Sequence, residues 1–305
     1  IAHAANQNPA TPVLAHDDPI KRWEDQLVGP NQVLDQATAS ATHRQPRFRN
    51  GEHGLNGRPV IHFAGGPFGQ ADHVLEIEES PEIELQNSYS IFVVLRFLGN
   101  GIGNQTILMK ARGGGTDIGT LGLLRYAYNG PVGRIGIDQN IDGAWSSRVH
   151  SSKDIPDEVP LLLIASWDGT KVTLDVRQAD GVFSRDEAEL KGKIDTSGTG
   201  KLGIGGYRDA FSADGERFHG DIAEILIYRQ SLPESQVEQV AGYLIDKWLT
   251  VSQKDNSANQ LPVTESLGLH LDAAQGVVPH QPTTMSPLAR LCQVLMNLNE
   301  FVYIP

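Results

Sequence analysis

From residue 58 to residue 228 apolar side chains mostly recur at every second position, and a helical period takes over only between 233 and 248. In "GRPVIHFAGG" Val60 and His62 alternate with Ile61 and Phe63, and in "ADHVLEIEES" Leu75 and Ile77 fall opposite Val74, Glu76 and Glu78. A two-residue period sends successive side chains to opposite faces, so both segments are expected to be strands. "SYSIFVVLRFLG", residues 88 to 99, is apolar on both faces and rich in β-branched and aromatic residues, which predicts a central strand covered on both sides. Further strands are expected at "QTILMKAR", "LGLLRYAYN", "GRIGIDQN", "VPLLLIASWD", "KVTLDVRQ" and "GKLGIGGY", mostly separated by turns containing Gly or Asp. "WDGTKV" reads as a hairpin, because Asp168-Gly169 supplies the positive φ that a tight turn needs.

After "GDIAEILIY" the pattern changes. Ser231, Pro233 and Glu234 form an S-x-P-E capping pattern, and Val237, Val240, Ala241, Leu244 and Trp248 share one face at helical spacing. This predicts a helix over 233–248 whose apolar stripe docks on the sheets just after the last strand. Eight or more antiparallel strands without intervening helices specify an all-β fold, a sandwich or jelly roll of two antiparallel sheets. Phe92, Val94, Ile164 and Ile225 are expected in its core. Residues 1–55 are polar and turn-rich, an irregular lead-in that packs on the sandwich, with Trp23 of "IKRWEDQ" as its anchor. The Ser/Asn/Gln-rich residues 251–265 read as a linker.

Taken in order, "NGRPVIHFAGG" with "ADHVLEI", "SYSIFVVLRF", "ASWDGTKVTLDV", "GTGKLGIGGY" and "FHGDIAEILIY" followed by "SLPESQVEQVAGYLIDKW" resemble the bacterial laminin-G-like, concanavalin A-like jelly-roll family. The resemblance spans residues 56–248, within a domain expected over 56–250. It departs in one place: relatives often begin with a strand of the form L-x-L-D-A shortly before a W-x-D segment, whereas here "RWEDQ" is at 22–26 and "LGLHLDAAQGVV" at 267–278. Residues 266–305 are therefore expected either to begin a second copy that is cut short or to return to the sandwich. The resemblance implies a noncatalytic binding or adhesion module that recognises a glycan or an extracellular protein at a loop-lined surface. A glycan-cleaving enzyme of the same fold and a structural spacer are the alternatives.

Composition narrows the partners. A formal charge of −12 over 305 residues, with no long Lys/Arg run, opposes attraction to phosphate backbones, so nucleic acid is not an expected partner. Cys292 is the only cysteine, which excludes an intrachain disulfide and a cysteine metal cluster. No stretch approaches the roughly 18 apolar residues that cross a bilayer as a helix, so no membrane insertion is expected. Ala2-His3-Ala4 resembles the end of a secretory signal, and with the fold it suggests an extracellular, cell-surface or periplasmic location.

Among candidate chemistries the sharpest motif is "DQNIDG". Asp138, Asn140 and Asp142 followed by Gly143 match the opening of a calcium loop, in which alternate oxygens converge on a hard cation and glycine permits the bend. The twelfth position is Val149 instead of a bidentate Glu, and an Asx/Gly hairpin turn is the other reading. Calcium is thus the one cofactor candidate. For ligand binding, Tyr126 and Tyr128 share a face of "LLRYAYN", with Trp145 and Arg148 beyond the next strand. Aromatic rings stack on sugar faces while Arg, Asn and Asp bond hydroxyls. Glu76 and Glu78 continue into "EESPEIE", a run read as a solvated edge, and Asp221 and Glu224 fall on opposite faces of a regular strand. No carboxylate pair of the retaining type is evident. The glycine runs at 113–115 and 203–206 lack the residues of a phosphate loop, and the ten His residues show no H-x-H or H-x-x-x-H pair for zinc.

Overall fold

The computed structural model describes residues 14–27, 36–66, 72–99, 103–112, 120–127, 130–194, 199–206, 216–250, 260–275 and 277–279. The early strands are β1 (Ile20–Glu24), β2 (Gln36–Thr38), β3 (Arg47–Arg49), β4 (Val60–Ala64), β5 (Leu75–Ile77) and β6 (Tyr89–Phe97). Then come β7 (Gln105–Arg112), β8 (Leu121–Arg125), β9 (Ile135–Ile141), β10 (Ala144–His150), β11 (Pro160–Trp167) and β12 (Lys171–Gln178). The chain closes with β13 (Gly181–Glu189), β14 (Thr199–Ile204), β15 (His219–Tyr228), helix α1 (Glu234–Trp248), β16 (Leu267–Asp272) and β17 (Val277–Pro279). They form two antiparallel sheets, a jelly-roll sandwich: one in the order β10-β9-β8-β7-β14-β5-β2-β1-β17, the other β13-β12-β11-β6-β15-β4-β3, with β16 also paired to β15.

Alternation along each strand decides what the layers bury. Ile91, Val93, Leu95 and Phe97 of β6 join Ile225 and Ile227 of β15 and Ile135 and Ile137 of β9 between the sheets. The other face of β6, Phe92 and Val94, packs with Leu162, Ile164 and Leu226 under Val237, Val240, Leu244 and Trp248 of α1. "SYSIFVVLRFLG" is apolar on both faces for this reason: one face meets the opposite sheet and the other meets the helix. The Trp167–Lys171 hairpin forms as read, with Gly169 at φ 90° and the Asp168 carboxylate accepting the backbone N–H groups of Thr170 and Lys171.

Three expectations are corrected, and one open alternative is decided. The capping box does not form: Pro233 precedes α1 without a side-chain cap, Leu232 N–H donates to Ser90 Oγ, and Glu234 reaches Arg185 instead of folding back. The lead-in is not wholly irregular, since β1, β2 and β3 pair into the sheets and Trp23 is fully buried. The end of the expected linker packs down, with Leu261 and Val263 buried and the Tyr228 hydroxyl donating to the Val263 carbonyl. "LGLHLD" returns to pair with β15, from Glu224↔Asp272 to Tyr228↔Leu267, so residues 267–279 complete this sandwich instead of starting another. Burial of Leu269 and Leu271 against the core drives that return. Residues 280–305 lie outside the described residues.

Candidate functional site

The "DQNIDG" run is a strand and its turn. Ile141 pairs with Ala144 across the two-residue link Asp142–Gly143, whose φ values of 51° and 84° are both positive, as a type I′ hairpin requires. The Asp142 carboxylate accepts the Lys193 backbone N–H at 3.2 Å. Asp138 and Asn140 project instead from one face of β9, so the three side chains do not wrap a common point. Of the two readings of this run the backbone takes the Asx/Gly hairpin turn, and extended backbone spaces the Asp138 and Asn140 oxygens along a strand where a calcium loop would curl them inward.

Ile135, Ile137 and Gln139 face the core, and Gln139 Nε2 donates to the Tyr89 hydroxyl at 2.9 Å. Gly136, Asp138 and Asn140 therefore face outward. There the Tyr126 hydroxyl donates to the Asp138 carboxylate, and the Tyr126 and His150 rings meet edge to face at 5.1 Å. Gly136 makes this possible, because a Cβ at that position would lie 2.5 Å from a Tyr126 ring carbon. Tyr126 is only 3% exposed. The expected open stacking platform is corrected at this residue: its ring packs on Gly136 and His150 and its hydroxyl is committed to Asp138. Tyr128 lies outside the described residues, as do the side chains of Trp145 and Arg148; the backbone of Trp145 pairs with Asn140.

Asn140 is fully buried, and neither Nδ2 nor Oδ1 has a hydrogen-bond partner. Leaving a buried polar group unpaired costs about 1–3 kcal/mol, so on this face the Asn140 amide has the most to gain from a donor and an acceptor. His150 Nε2 is likewise buried and unpaired, and burial holds the imidazole below its ordinary pKa against the pull of Asp138. Sequence alone missed His150, because its place beside Tyr126 follows from the pairing His150↔Gly136 and not from any local motif.

The other constellations are committed to ion pairs. A bulge between Ile222 and Glu224 puts Asp221 and Glu224 on the same, helix-side face, a correction to the regular-strand expectation. Both carboxylates are fully buried. Asp221 meets Arg49 at 3.3 Å, His62 at 2.9 Å and the Arg96 guanidinium. Burial would raise its pKa, but the His62 and Arg96 hydrogen bonds hold it below the usual carboxylate range. Glu224, His270 and Asp272 present ligand atoms within 4.8 Å of one another, a donor set able to hold a cation. The cation placed there is Lys247, whose Nζ is 2.6 Å from Glu224 and 2.9 Å from Asp272. Glu76 is buried in the interior strand β5, not on a solvated edge.

No family model and no curated protein matches this sequence. Among solved structures, a Bacteroides ovatus protein provisionally named for carbohydrate binding is 16% identical over 64% of this chain and 48% of its own, with a TM-score of 0.43. The carbohydrate-binding module CBM40 of a Ruminococcus gnavus sialidase, bound to α2,3-sialyllactose, is 15% identical over 63% of this chain and 96% of its own, at 0.42. The LG1–3 region of the laminin α2 chain is 13% identical over 57% and 31%, at 0.41. The chain thus spans about half the length of the Bacteroides protein. Likeness at this level concerns the fold and not the site.

Proposed function

We propose that this chain is a noncatalytic binding module that takes a glycan at the outer face of β8, β9 and β10. The observation that carries this is the buried, unpaired Asn140 amide beside Asp138, Tyr126 and His150. A side-chain amide offers a donor and an acceptor together, the pattern that adjacent sugar hydroxyls match, and Asp138 adds an acceptor. The noncatalytic reading is supported by the buried carboxylates of β15, which are tied up in ion pairs: Asp221 by Arg49, His62 and Arg96, and Glu224 by Lys247 and His270. Such a module would meet its glycan outside the cell. No helix among the described residues is long and apolar enough to cross a membrane. A glycan-array screen of the parent protein beside Asn140→Ala tests the assignment: binders should be lost in the variant.

A further inference from the structure

A second site lies on the other sheet. The outward faces of β11, β12 and β13 meet the segment leading into α1 around a groove of about 130 Å³. Register builds its floor: Ile164 lies opposite Asp175 and Ser166 opposite Thr173, while Ser231 stands on the wall.

The charges around this groove are mostly satisfied. Lys171 pairs with Glu187 at 3.0 Å and Arg185 with Glu234 at 2.7 Å. The Asp168 carboxylate is occupied by its own turn. Arg177 holds Asp175 Oδ2 through two nitrogens at 2.9 and 2.7 Å, and also reaches Glu238 on α1. Asp175 Oδ1 is the exception: the residue is 3% exposed, and this oxygen has no partner. A carboxylate oxygen only accepts, so what it lacks is a donor. The lining carboxylates Asp168, Asp175, Glu187 and Glu234, with Glu238 on Arg177, stand against the three cations Lys171, Arg185 and Arg177, which favours a cationic donor over an anion. Glu234, in the first turn of α1, offsets the positive end of the helix that would oppose a cation there.

We propose that this groove binds a small ligand carrying a primary ammonium next to hydroxyls, an amino sugar or amino alcohol. The ammonium sits on Asp175 Oδ1 and the hydroxyls face Ser166, Thr173 and Ser231. The site is separate from the Asn140 face and stands or falls independently of it.

Backbone-amide NMR titration with glucosamine, and with glucose as the neutral counterpart, tests this. Glucosamine should give saturable shifts at Ser166, Thr173 and Leu232 without shifts around Asn140, and glucose should bind about tenfold more weakly, the loss expected when a charge-assisted hydrogen bond becomes a neutral one. Asp175→Asn, whose amide oxygen can keep Arg177 while its NH₂ faces the groove, should abolish the glucosamine shifts. Thr173→Val leaves both Asp175 and Arg177 in place and should weaken binding about threefold, the loss of one modest hydrogen bond; it decides the matter if Asp175→Asn does not fold. No saturable shift in the parent, equal binding of glucose, shifts confined to the Asn140 face, or unchanged binding in the folded variants overturns the proposal.

Discussion

Lys247 Nζ lies 2.6 Å from a Glu224 carboxylate oxygen, with both side chains buried where α1 crosses β15. Asp272 of β16 joins them at 2.9 Å, so one ammonium ties together α1, β15 and the returning β16. Burial would lower the Lys247 pKa, but the Glu224 and Asp272 charges raise it above the ordinary lysine value. Burial would raise Glu224, but the His270 hydrogen bond and the Lys247 charge hold it below the ordinary value.

Removing that ammonium should therefore be costly. Lys247→Met leaves two buried carboxylates facing each other, and an uncompensated buried charge typically costs about 3–5 kcal/mol. Urea unfolding should show a loss of that order. Adding Glu224→Gln and Asp272→Asn should recover much of it. A Lys247→Met midpoint equal to the parent would show that the trio does not hold α1 and β16.

The docking of α1 is tested separately at Trp248, which is fully buried against Phe92, Val94 and Leu226 in the same cluster. Trp248→Ala should lower unfolding free energy by about 3–5 kcal/mol, the range for a large aromatic removed from a core. A change below about 1 kcal/mol would mean that the ring is not packed as described.

Histidine gives the pH dependence a definite sign. Burial, with the nearby charges of His62 and Arg47, lowers His73 to about 4 from 6.5, and its Nδ1 accepts the Ala64 N–H at 3.0 Å. The folded state disfavours protonation, so its contribution is complete above pH 6.5 and is lost as pH falls from 6.5 towards 4. At 1.36 kcal/mol per pH unit the loss is about 3 kcal/mol. His73→Asn keeps an acceptor for Ala64 but cannot take the proton, so its urea midpoint should change less between pH 6.5 and 4. Parallel pH profiles for parent and variant would contradict this origin.

The Asp142–Gly143 hairpin predicts that melting temperature is the same in chelator and in millimolar calcium. Since a ligand bound only to the native state raises stability by mass action, a calcium-dependent rise abolished by Asp142→Ala would restore the loop reading.

Most of the sandwich was legible because two-residue alternation reports burial directly. The helix was legible because Val237, Val240, Ala241, Leu244 and Trp248 mark one stripe, and that stripe is what α1 buries. The short strands β1, β2 and β3 were not, since three to five residues carry too little alternation to stand out. Nor was the place of β16, because its pairing with β15 is set by long-range packing, and its "LHLD" reads equally well as the start of another domain. Within the site, Tyr126, Asp138 and Asn140 were picked out one by one. That the first two bond each other while the third is left unpaired depends on strand register, which a one-residue slip would reverse.

The affinity of the parent protein and of Asn140→Ala for the strongest array binder, measured by titration calorimetry, tests the binding reading most directly. The parent should bind, and the variant should be at least about tenfold weaker, the 1.4 kcal/mol scale of a lost amide interaction, with an unchanged fold by circular dichroism. A folded Asn140→Ala that binds the same glycan with unaltered affinity would contradict the placement of the site on this face.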